Sequence, residues 1–274
     1  MRFAILLHAT LFKLFRLRLI NKWVLLFEIF STTSMLLVFF LIDRFQGSFL
    51  NEQIRSTLAG MNTGYFGYVA LGLAVSVLAN SSVGGVLGQF QEEKRYNTLE
   101  IHLISGCSIQ SWSVVAGIAN LFRSLFQFLL IYGVAVGILG LNVPNFNWGL
   151  ALLVLSCSFI PLWCLALLSL CSVLLFRRGN IFGFLVSTAF ELLGGVYVPL
   201  TVLPLWLKNL SEILPITPAL RAMHKVFYQA GEFSAISGDL KQLLILGFVF
   251  LPLSLFLLSL TDRVAKRKAH YVLE

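Results

Sequence analysis

The chain has 274 residues, of which 58% are hydrophobic and 12% are charged, and its net charge is +8. Soluble globular domains usually carry about 25% charged residues, so this chain has too few polar side chains to cover a water-facing surface. The composition excludes an ordinary soluble enzyme, a disordered chain and a disulfide scaffold. It indicates an integral membrane protein that crosses the bilayer several times.

The first 22 residues are predicted to form an amphipathic helix at the membrane interface. Arg2, Lys13 and Arg16 are separated by 11 and 14 residues, which places them on one face of a helix. Leucine and phenylalanine side chains supply an apolar face, as in helices that lie along a bilayer surface. The alternative interpretation is a basic anchor next to the first span.

Six segments are long and apolar enough to cross a membrane, and all six are expected to be helices because a helix satisfies its own backbone polar groups in lipid. They cover about 23–42, 63–88, 113–141, 148–176, 182–202 and 243–260. We therefore expect an all-α integral membrane protein that forms a single transmembrane domain over residues 1–274.

The distribution of basic residues predicts the orientation of this domain. Thirteen Lys and Arg residues fall on one side of the six-span arrangement and six on the other, while Arg123 lies inside a span. The positive-inside rule places the richer side, and with it both termini, in the cytoplasm. We therefore interpret the positive net charge as a determinant of membrane orientation and not as a sign of nucleic-acid binding. The expected location is the inner, cytoplasmic membrane of the cell.

The connection between the second and third spans, residues 89–112, contains a charged cluster followed by a short apolar helix. The cluster consists of Glu92, Glu93, Lys94 and Arg95. Asn97 is positioned to cap the helix, with Glu100 at the third helical position in a variant of the capping box. Leu99 begins an apolar surface that suits a cleft on a cytoplasmic partner. The alternative is a helix that rests on the bilayer surface.

The external segment between the fifth and sixth spans, residues 199–241, is predicted to form a helical hairpin. The pattern is carried by Pro199, Pro204, Trp206, Leu207, Pro215, Thr217 and Pro218. One short helix begins near Pro204, and a second begins with Thr217 as N-cap and Pro218 in its first turn and ends before Gly231. Neither helix is long enough to cross the bilayer, so a re-entrant or interfacial hairpin is expected at the external end.

Three ionisable residues lie inside the predicted spans, where a charge is costly and indicates a partner or a function. Arg123 and Glu191 each lie about ten residues, or about 15 Å, from the cytoplasmic start of their spans. We predict an ion pair between them, within one subunit or across a dimer; the alternative is separate contact with water in a central cavity. Asn120 and Gln127 extend a polar stripe on either side of Arg123. Glu28 is expected to reach the interface or to pair with an N-terminal base.

Small residues inside the spans favour close contact between helices. Gly64, Gly67 and Gly72 in the second span are predicted to pack against a neighbouring helix, with a role in lining a pathway as the alternative. Cysteines recur every seven residues in the fourth span, at Cys157, Cys164 and Cys171. We interpret them as packing residues, because small side chains permit close contact between helices. A metal site is not expected, since no histidine shares that span. No catalytic, cofactor-binding or metal-binding pattern emerges from the sequence.

Two of these motifs resemble the membrane subunit of type-2 ATP-binding-cassette (ABC) permeases, which include exporters of drugs, polysaccharides and lipid-linked polymers. The family has a charged stretch followed by Gly-Thr-Leu-Glu, and here the matching residues are Glu93, Lys94 and Arg95, then Asn97, Thr98, Leu99 and Glu100. The fifth-span and hairpin pattern is matched by Gly194, Gly195, Pro199, Leu203, Pro204, Trp206, Leu207, Leu214, Pro215, Thr217 and Pro218. Asn97 departs from the usual Gly, and Gly106-Cys107 stands where Ser/Thr-Pro is common.

The resemblance implies a permease subunit of an ATP-driven exporter that works as a dimer, here expected to be a homodimer, with two cytoplasmic ABC ATPases. ATP and Mg²⁺ would bind to those partners, since this chain has no G-x-x-x-x-G-K-[ST] phosphate loop and is not itself expected to be an enzyme. The cargo would be amphiphilic, drug-like, lipid-linked or a polysaccharide, moved by alternating access or channel opening. The alternatives are a secondary transporter or channel, and an integral-membrane enzyme that modifies lipids.

Overall fold

A computed structural model describes residues 22–45, 54, 56, 58, 60, 63–96, 98, 108–141, 147–176, 180–229 and 232–267. Within these residues every regular element is a helix. The interfacial helix predicted over residues 1–22 lies outside the described residues, apart from its last position. The same holds for Asn97, Leu99 and Glu100 of the predicted coupling loop.

Eight α-helices follow one another along the described chain. They are α1 (Lys22–Phe45), α2 (Tyr65–Arg95), α3 (Ile109–Gly137), α4 (Trp148–Phe176), α5 (Ile181–Leu193), α6 (Leu205–Ser211), α7 (Ile216–Tyr228) and α8 (Phe233–Arg267). Five of them, α1 to α4 and α8, are long and apolar enough to cross a membrane. They correspond to the first four and the sixth of the predicted spans.

The fifth predicted span is interrupted. The prediction of a continuous helix over residues 182–202 is wrong beyond Leu193, because α5 has only 13 residues. At 1.5 Å per residue it reaches about 20 Å, less than the roughly 30 Å of a hydrocarbon core. Gly194 follows the helix, and Gly195 has a φ of 79°, in the left-handed region that favours glycine. The chain then continues to a short 3₁₀ turn at Leu200–Val202.

This interruption is buried against α2. Tyr68 Oη donates a hydrogen bond to the carbonyl oxygen of Gly195 at 2.5 Å, and Val196 is fully buried. A Cβ atom on Gly72 would lie 2.5 Å from the carbonyl oxygen of Val196, so only glycine permits this approach. Irregular backbone at membrane depth is tolerated where protein covers it, and α2 provides that cover. The predicted packing role is confirmed for Gly72.

Helix α2 is the central element of the bundle, and α1 is a peripheral one. In the most apolar stretch of each helix, 78% of the residues of α2 are buried, compared with 6% in α1. Helix α2 contacts α1, α3, α4, α5 and α7, while α8 packs along α4. Because α1 leaves large side chains such as Trp23, Phe27 and Phe30 exposed, it presents an apolar face to lipid or to another chain.

The two short helices predicted after the fifth span are present as α6 and α7, with a different start for the second. Pro215 is the N-cap of α7, so the prediction of Thr217 at that position is wrong. Thr217 lies in the first turn, and its hydroxyl contacts the Ser211 hydroxyl at 3.1 Å. Helix α7 ends at Tyr228, before Gly231 as predicted. Helix α8 already begins at Phe233, so the hairpin is shorter than the predicted 199–241.

We call the end of the bundle that carries α6 and α7 the hairpin end. The opposite end, where α2 ends and α3 begins, is called the loop end.

Candidate functional site

The loop end is more helical than predicted. Helix α2 continues to Arg95, so the charged cluster belongs to its last turn rather than to a loop. Thr98 Oγ1 donates to the carbonyl oxygen of Glu93 at 3.2 Å. At the other side of the connection, Ser108 caps α3 by accepting a hydrogen bond from Ser111 N at 3.2 Å. The connection between the two helices is therefore 96–108, about half the predicted length.

A buried hydrogen bond ties the two helices together where this connection begins. Glu93 is only 6% exposed, and Trp112 Nε1 of α3 donates to its Oε2 atom at 2.6 Å. Trp112 is itself buried and packs edge-on against Phe90, with ring centroids 5.9 Å apart. The contact joins the last turn of α2 to the first turn of α3.

At mid-depth, the predicted polar stripe of α3 contacts neighbouring helices. Asn120 is 1% exposed, and its Nδ2 donates to the carbonyl oxygens of Ser81 at 2.6 Å and Ser82 at 3.2 Å on α2. Gln127 Nε2 donates to Glu28 Oε1 of α1 at 3.0 Å. Sequence reasoning missed Gln127 as a partner of Glu28. Apart from Lys22, the N-terminal bases proposed for that role lie outside the described residues.

Glu191 meets a different neutral amide. Asn80 Nδ2 donates to Glu191 Oε1 at 3.2 Å and to Ser76 Oγ at 3.4 Å. Asn80 is 15 residues from each end of α2, so the contact lies halfway along the central helix of the bundle. Glu191 is the third-last residue of α5, and its side chain is exposed at the surface of the chain.

The predicted pair of Arg123 and Glu191 is not among the ion pairs between described residues within this chain. Helix α5 packs against α2, α4, α6 and α7 rather than against α3, which carries Arg123. The partner that the structure gives to Glu191 is Asn80. Pairing of Arg123 with Glu191 across a dimer stays a prediction.

The hairpin end holds a charge network that joins three helices. Arg221 of α7 forms two hydrogen bonds to the Glu212 carboxylate, at 3.1 and 2.6 Å. Arg221 Nε lies 2.9 Å from Asp239 Oδ1, an ion-pair distance without hydrogen-bond alignment, and Lys225 Nζ donates to Asp239 Oδ2 at 2.7 Å. Gln242 Nε2 donates to both the backbone and the side chain of Glu212, at 2.9 and 2.8 Å. Sequence reasoning missed this network because its members are spread over 31 residues.

The electrostatics of Glu212 reflect this network. Partial burial raises the pKa of Glu212, but hydrogen bonds from Arg221 and Gln242 outweigh it and hold this pKa below its usual value. Glu212 is therefore an ionised carboxylate at neutral pH.

Next to this network lies a buried histidine. His224 of α7 is 5% exposed and stacks on Tyr68 with ring centroids 4.4 Å apart and on Tyr228 at 5.9 Å. Neither ring nitrogen has a hydrogen-bond partner among the described residues. Burial lowers the pKa of His224 to about 3, so the imidazole is neutral at physiological pH. Tyr228 Oη donates to the carbonyl oxygen of Gly67 at 2.9 Å, which confirms Gly67 as a packing position.

No group of three His, Cys, Asp or Glu side chains able to hold a metal ion occurs in the described part of the chain. The three cysteines of α4 are free thiols, and two of them are buried.

Comparison with known proteins gives one family. A sequence model of the family described as "ABC-2 type transporter" matches residues 2–228, from the N-terminal segment to the end of α7. No curated protein matches the chain.

Proposed function

The chain belongs to the ABC-2 type transporter family, and from this membership we propose that it is the membrane-spanning subunit of an ATP-driven exporter. The resemblance that the sequence motifs indicated is confirmed, and the chain is a transporter permease subunit. It has no phosphate-binding loop of its own, so ATP and Mg²⁺ would bind to a partner ABC ATPase.

The observation that carries the proposal is the Glu93–Trp112 hydrogen bond at the loop end. It holds the last turn of α2 and the first turn of α3 at a fixed separation, with both side chains out of water. A partner that moves the connection 96–108 would therefore move two helices as one body. We assign the coupling role to the residues of the charged cluster and the short helix that follows it: Glu92, Glu93, Lys94, Arg95, Asn97, Thr98, Leu99 and Glu100.

We further infer a homodimer bound to two copies of the ATPase, with the transport path between the two permease subunits. The exposed apolar face of α1 and the exposed part of α5 support this arrangement, because each leaves large apolar side chains without a protein neighbour in the described chain. The cargo is proposed to be amphiphilic, drug-like, lipid-linked or a polysaccharide, moved outward by alternating access or channel opening.

The proposed orientation puts both termini and the loop end in the cytoplasm and the hairpin end outside the inner membrane, as the bias of basic residues favours. Single cysteines test it in a chain whose native cysteines are replaced by serine. Tyr96 and Trp206 are both well exposed, at opposite ends of the bundle. In intact cells, an impermeant thiol reagent is expected to label Trp206→Cys and to leave Tyr96→Cys unlabelled; the reverse pattern would invert the orientation.

Co-purification tests the exporter function. The chain, extracted in mild detergent from cells that produce its natural partners, is expected to carry a stably bound ABC ATPase. Replacement of Leu99 and Glu100 by alanine is expected to reduce the amount of bound ATPase by about tenfold, since it removes an apolar anchor and a charge from the proposed contact. The matched control is Lys241→Ala, an exposed residue at the hairpin end, which should leave binding unchanged. Transport by the purified chain alone would contradict the proposal.

A further inference from the structure

Glu191 is a carboxylate at mid-depth whose described partner is neutral. Its one hydrogen bond within the described residues comes from the Asn80 amide, which brings no positive charge. The side chain is exposed on the chain surface rather than enclosed in the bundle. Charged side chains at this depth are costly and face either a partner or a water-filled path. The negative charge of Glu191 therefore has no cationic partner among the described residues and is available to a group from outside them.

The groups around Glu191 present further negative potential. Helix α5 ends at Leu193, two residues beyond Glu191, and the carbonyl groups of a helix C-terminus carry a partial negative charge. The Asn80 amide donates through Nδ2 to Glu191 and Ser76, and its Oδ1 atom is buried and has no hydrogen-bond partner within the described residues. The site therefore offers acceptors and a carboxylate, and the amide hydrogens of Asn80 are already used.

Two aromatic rings complete the surroundings. Tyr197 follows the α5 interruption, is half-buried and interacts electrostatically with Glu191. Its ring stacks with that of Phe39 from α1, with centroids 5.8 Å apart. The faces of aromatic rings attract organic cations, most strongly where water is excluded. The Glu191–Asn80 contact joins α2 and α5, and the Tyr197–Phe39 stack joins the segment after α5 to α1.

We propose that the Glu191–Asn80 site binds a cationic group of the transported molecule, an ammonium, guanidinium or quaternary ammonium group attached to an apolar body. A bare metal ion fits less well, because hard cations such as Ca²⁺ and Mg²⁺ need six or more oxygen ligands, and the Glu191–Asn80 contact offers few oxygens. The inference rests on the proposed transport function and narrows its cargo to amphiphilic cations.

Binding of tetraphenylphosphonium to the purified full chain in lipid nanodiscs tests the site. Glu191→Gln is expected to weaken binding about tenfold or more, because it removes the charge and keeps the shape, whereas Glu191→Asp should stay within about threefold of wild type. Glu28→Gln is the charge-matched control. It removes a different intramembrane carboxylate, which lies on α1, and this variant should bind the cation with wild-type affinity. Size-exclusion profiles and melting temperatures of all variants show whether the fold is retained.

Photo-crosslinking of the unmodified chain makes the test independent of any variant. A benzophenone-bearing quaternary ammonium probe is expected to label peptides from the middle of α2 or from residues 190–197. Excess tetraphenylphosphonium should suppress this label, and an uncharged benzophenone of the same size should not give it. Labels confined to other segments, or equal labelling by the uncharged probe, overturn the inference.

Two further outcomes separate this inference from the proposed function. If Glu191→Gln binds the cation as wild type does but the chain still co-purifies with its ATPase, the cation site is wrong and the exporter assignment stands. If no ATPase is bound but cation binding depends on Glu191, the site stands without the exporter. If Glu191→Gln and Arg123→Gln equally disrupt the dimer and neither alters cation binding, Glu191 pairs with the partner subunit and the inference is overturned.

Discussion

The hairpin end and the middle of the bundle hold their carboxylates in opposite ways. At the hairpin end, Glu212 and Asp239 are matched by two cations, Arg221 and Lys225, at distances between 2.6 and 3.1 Å. In the middle, Glu191 meets the amide of Asn80 at 3.2 Å, which holds the carboxylate without neutralising it. A matched network fixes helices in place, whereas an unneutralised carboxylate remains able to attract a cation.

The two ends of the bundle also differ. Glu93 at the loop end accepts a hydrogen bond from the indole N–H of Trp112, and this contact joins two helices. We interpret the hairpin end as a rigid cap and the other two places as parts that act during transport. The predictions below test this division.

The largest effect is expected from Asp239→Ala at the hairpin end. Asp239 has a side chain that is 7% exposed and holds both Arg221 and Lys225. Removing one member of a buried ion pair costs about 3–5 kcal/mol, and exposure of about a third of each cation lowers our expectation to about 3 kcal/mol of unfolding free energy. Denaturant unfolding in mixed micelles measures it. Lys241→Ala, exposed on the same helix, is the control; equal stability of the two variants would show that the network is not structural.

Trp112→Phe at the loop end should cost about 2 kcal/mol, since loss of the donor to a buried acceptor costs about 1–3 kcal/mol. We also expect weaker ATP-driven transport at unchanged ATPase binding, because the connection would then move α2 and α3 less tightly. Trp163→Phe is the matched control. Trp163 Nε1 donates to the backbone carbonyl oxygen of Ser113 at 3.2 Å, and loss of this hydrogen bond should cost about half as much unfolding free energy. Full transport activity of Trp112→Phe would separate this contact from coupling.

Gly72→Ala tests how closely α2 approaches the α5 interruption, on which the Glu191–Asn80 contact depends. The added Cβ would meet the backbone oxygen of Val196 at 2.5 Å, and overpacking of this kind costs about 1–3 kcal/mol. On the same helix, Gly84→Ala meets nothing within 4 Å and should be neutral or stabilising by up to about 1 kcal/mol. Melting temperatures of the two variants give the comparison, and the prediction fails if Gly72→Ala melts at or above Gly84→Ala.

Of these variants, His224→Phe should have the smallest effect on the unfolding free energy at neutral pH, less than about 1 kcal/mol. The substitution replaces a buried polar group that has no hydrogen-bond partner in the described chain with an apolar ring. Its effect is on pH dependence. The pKa of His224 is lowered from 6.5 to about 3 by burial, so between these values the unfolded chain binds a proton that the folded chain does not. The wild type should lose up to about 1.4 kcal/mol per pH unit as pH falls below 6.5, and the variant should lose correspondingly less. Parallel pH profiles from pH 7 to pH 4 would contradict this.

Much of the architecture follows from local sequence patterns. Apolar stretches of about 20 residues predicted six membrane-spanning helices, and five of them have spanning length in the structure. The prediction works because a helix satisfies its own backbone polar groups in lipid. Prolines and a glycine predicted where the hairpin helices begin and end, to within a residue or two. The motifs at Glu93–Glu100 and in the hairpin indicated the family that the sequence comparison confirmed. Each of these features depends on residues that are neighbours in the chain.

Contacts between distant residues were decided by the tertiary structure alone. Depth along a span predicted Arg123 as the partner of Glu191, but depth does not say which helices are neighbours, and α5 packs on α2. The end of α5 at Leu193 depends on Tyr68 and Gly72, more than 120 positions earlier in the chain, which cover its exposed backbone. Composition and periodicity thus determined which segments enter the membrane and in what form. Only the packed bundle decided which charges are neutralised and which remain free to act, because that depends on the faces the helices turn toward one another.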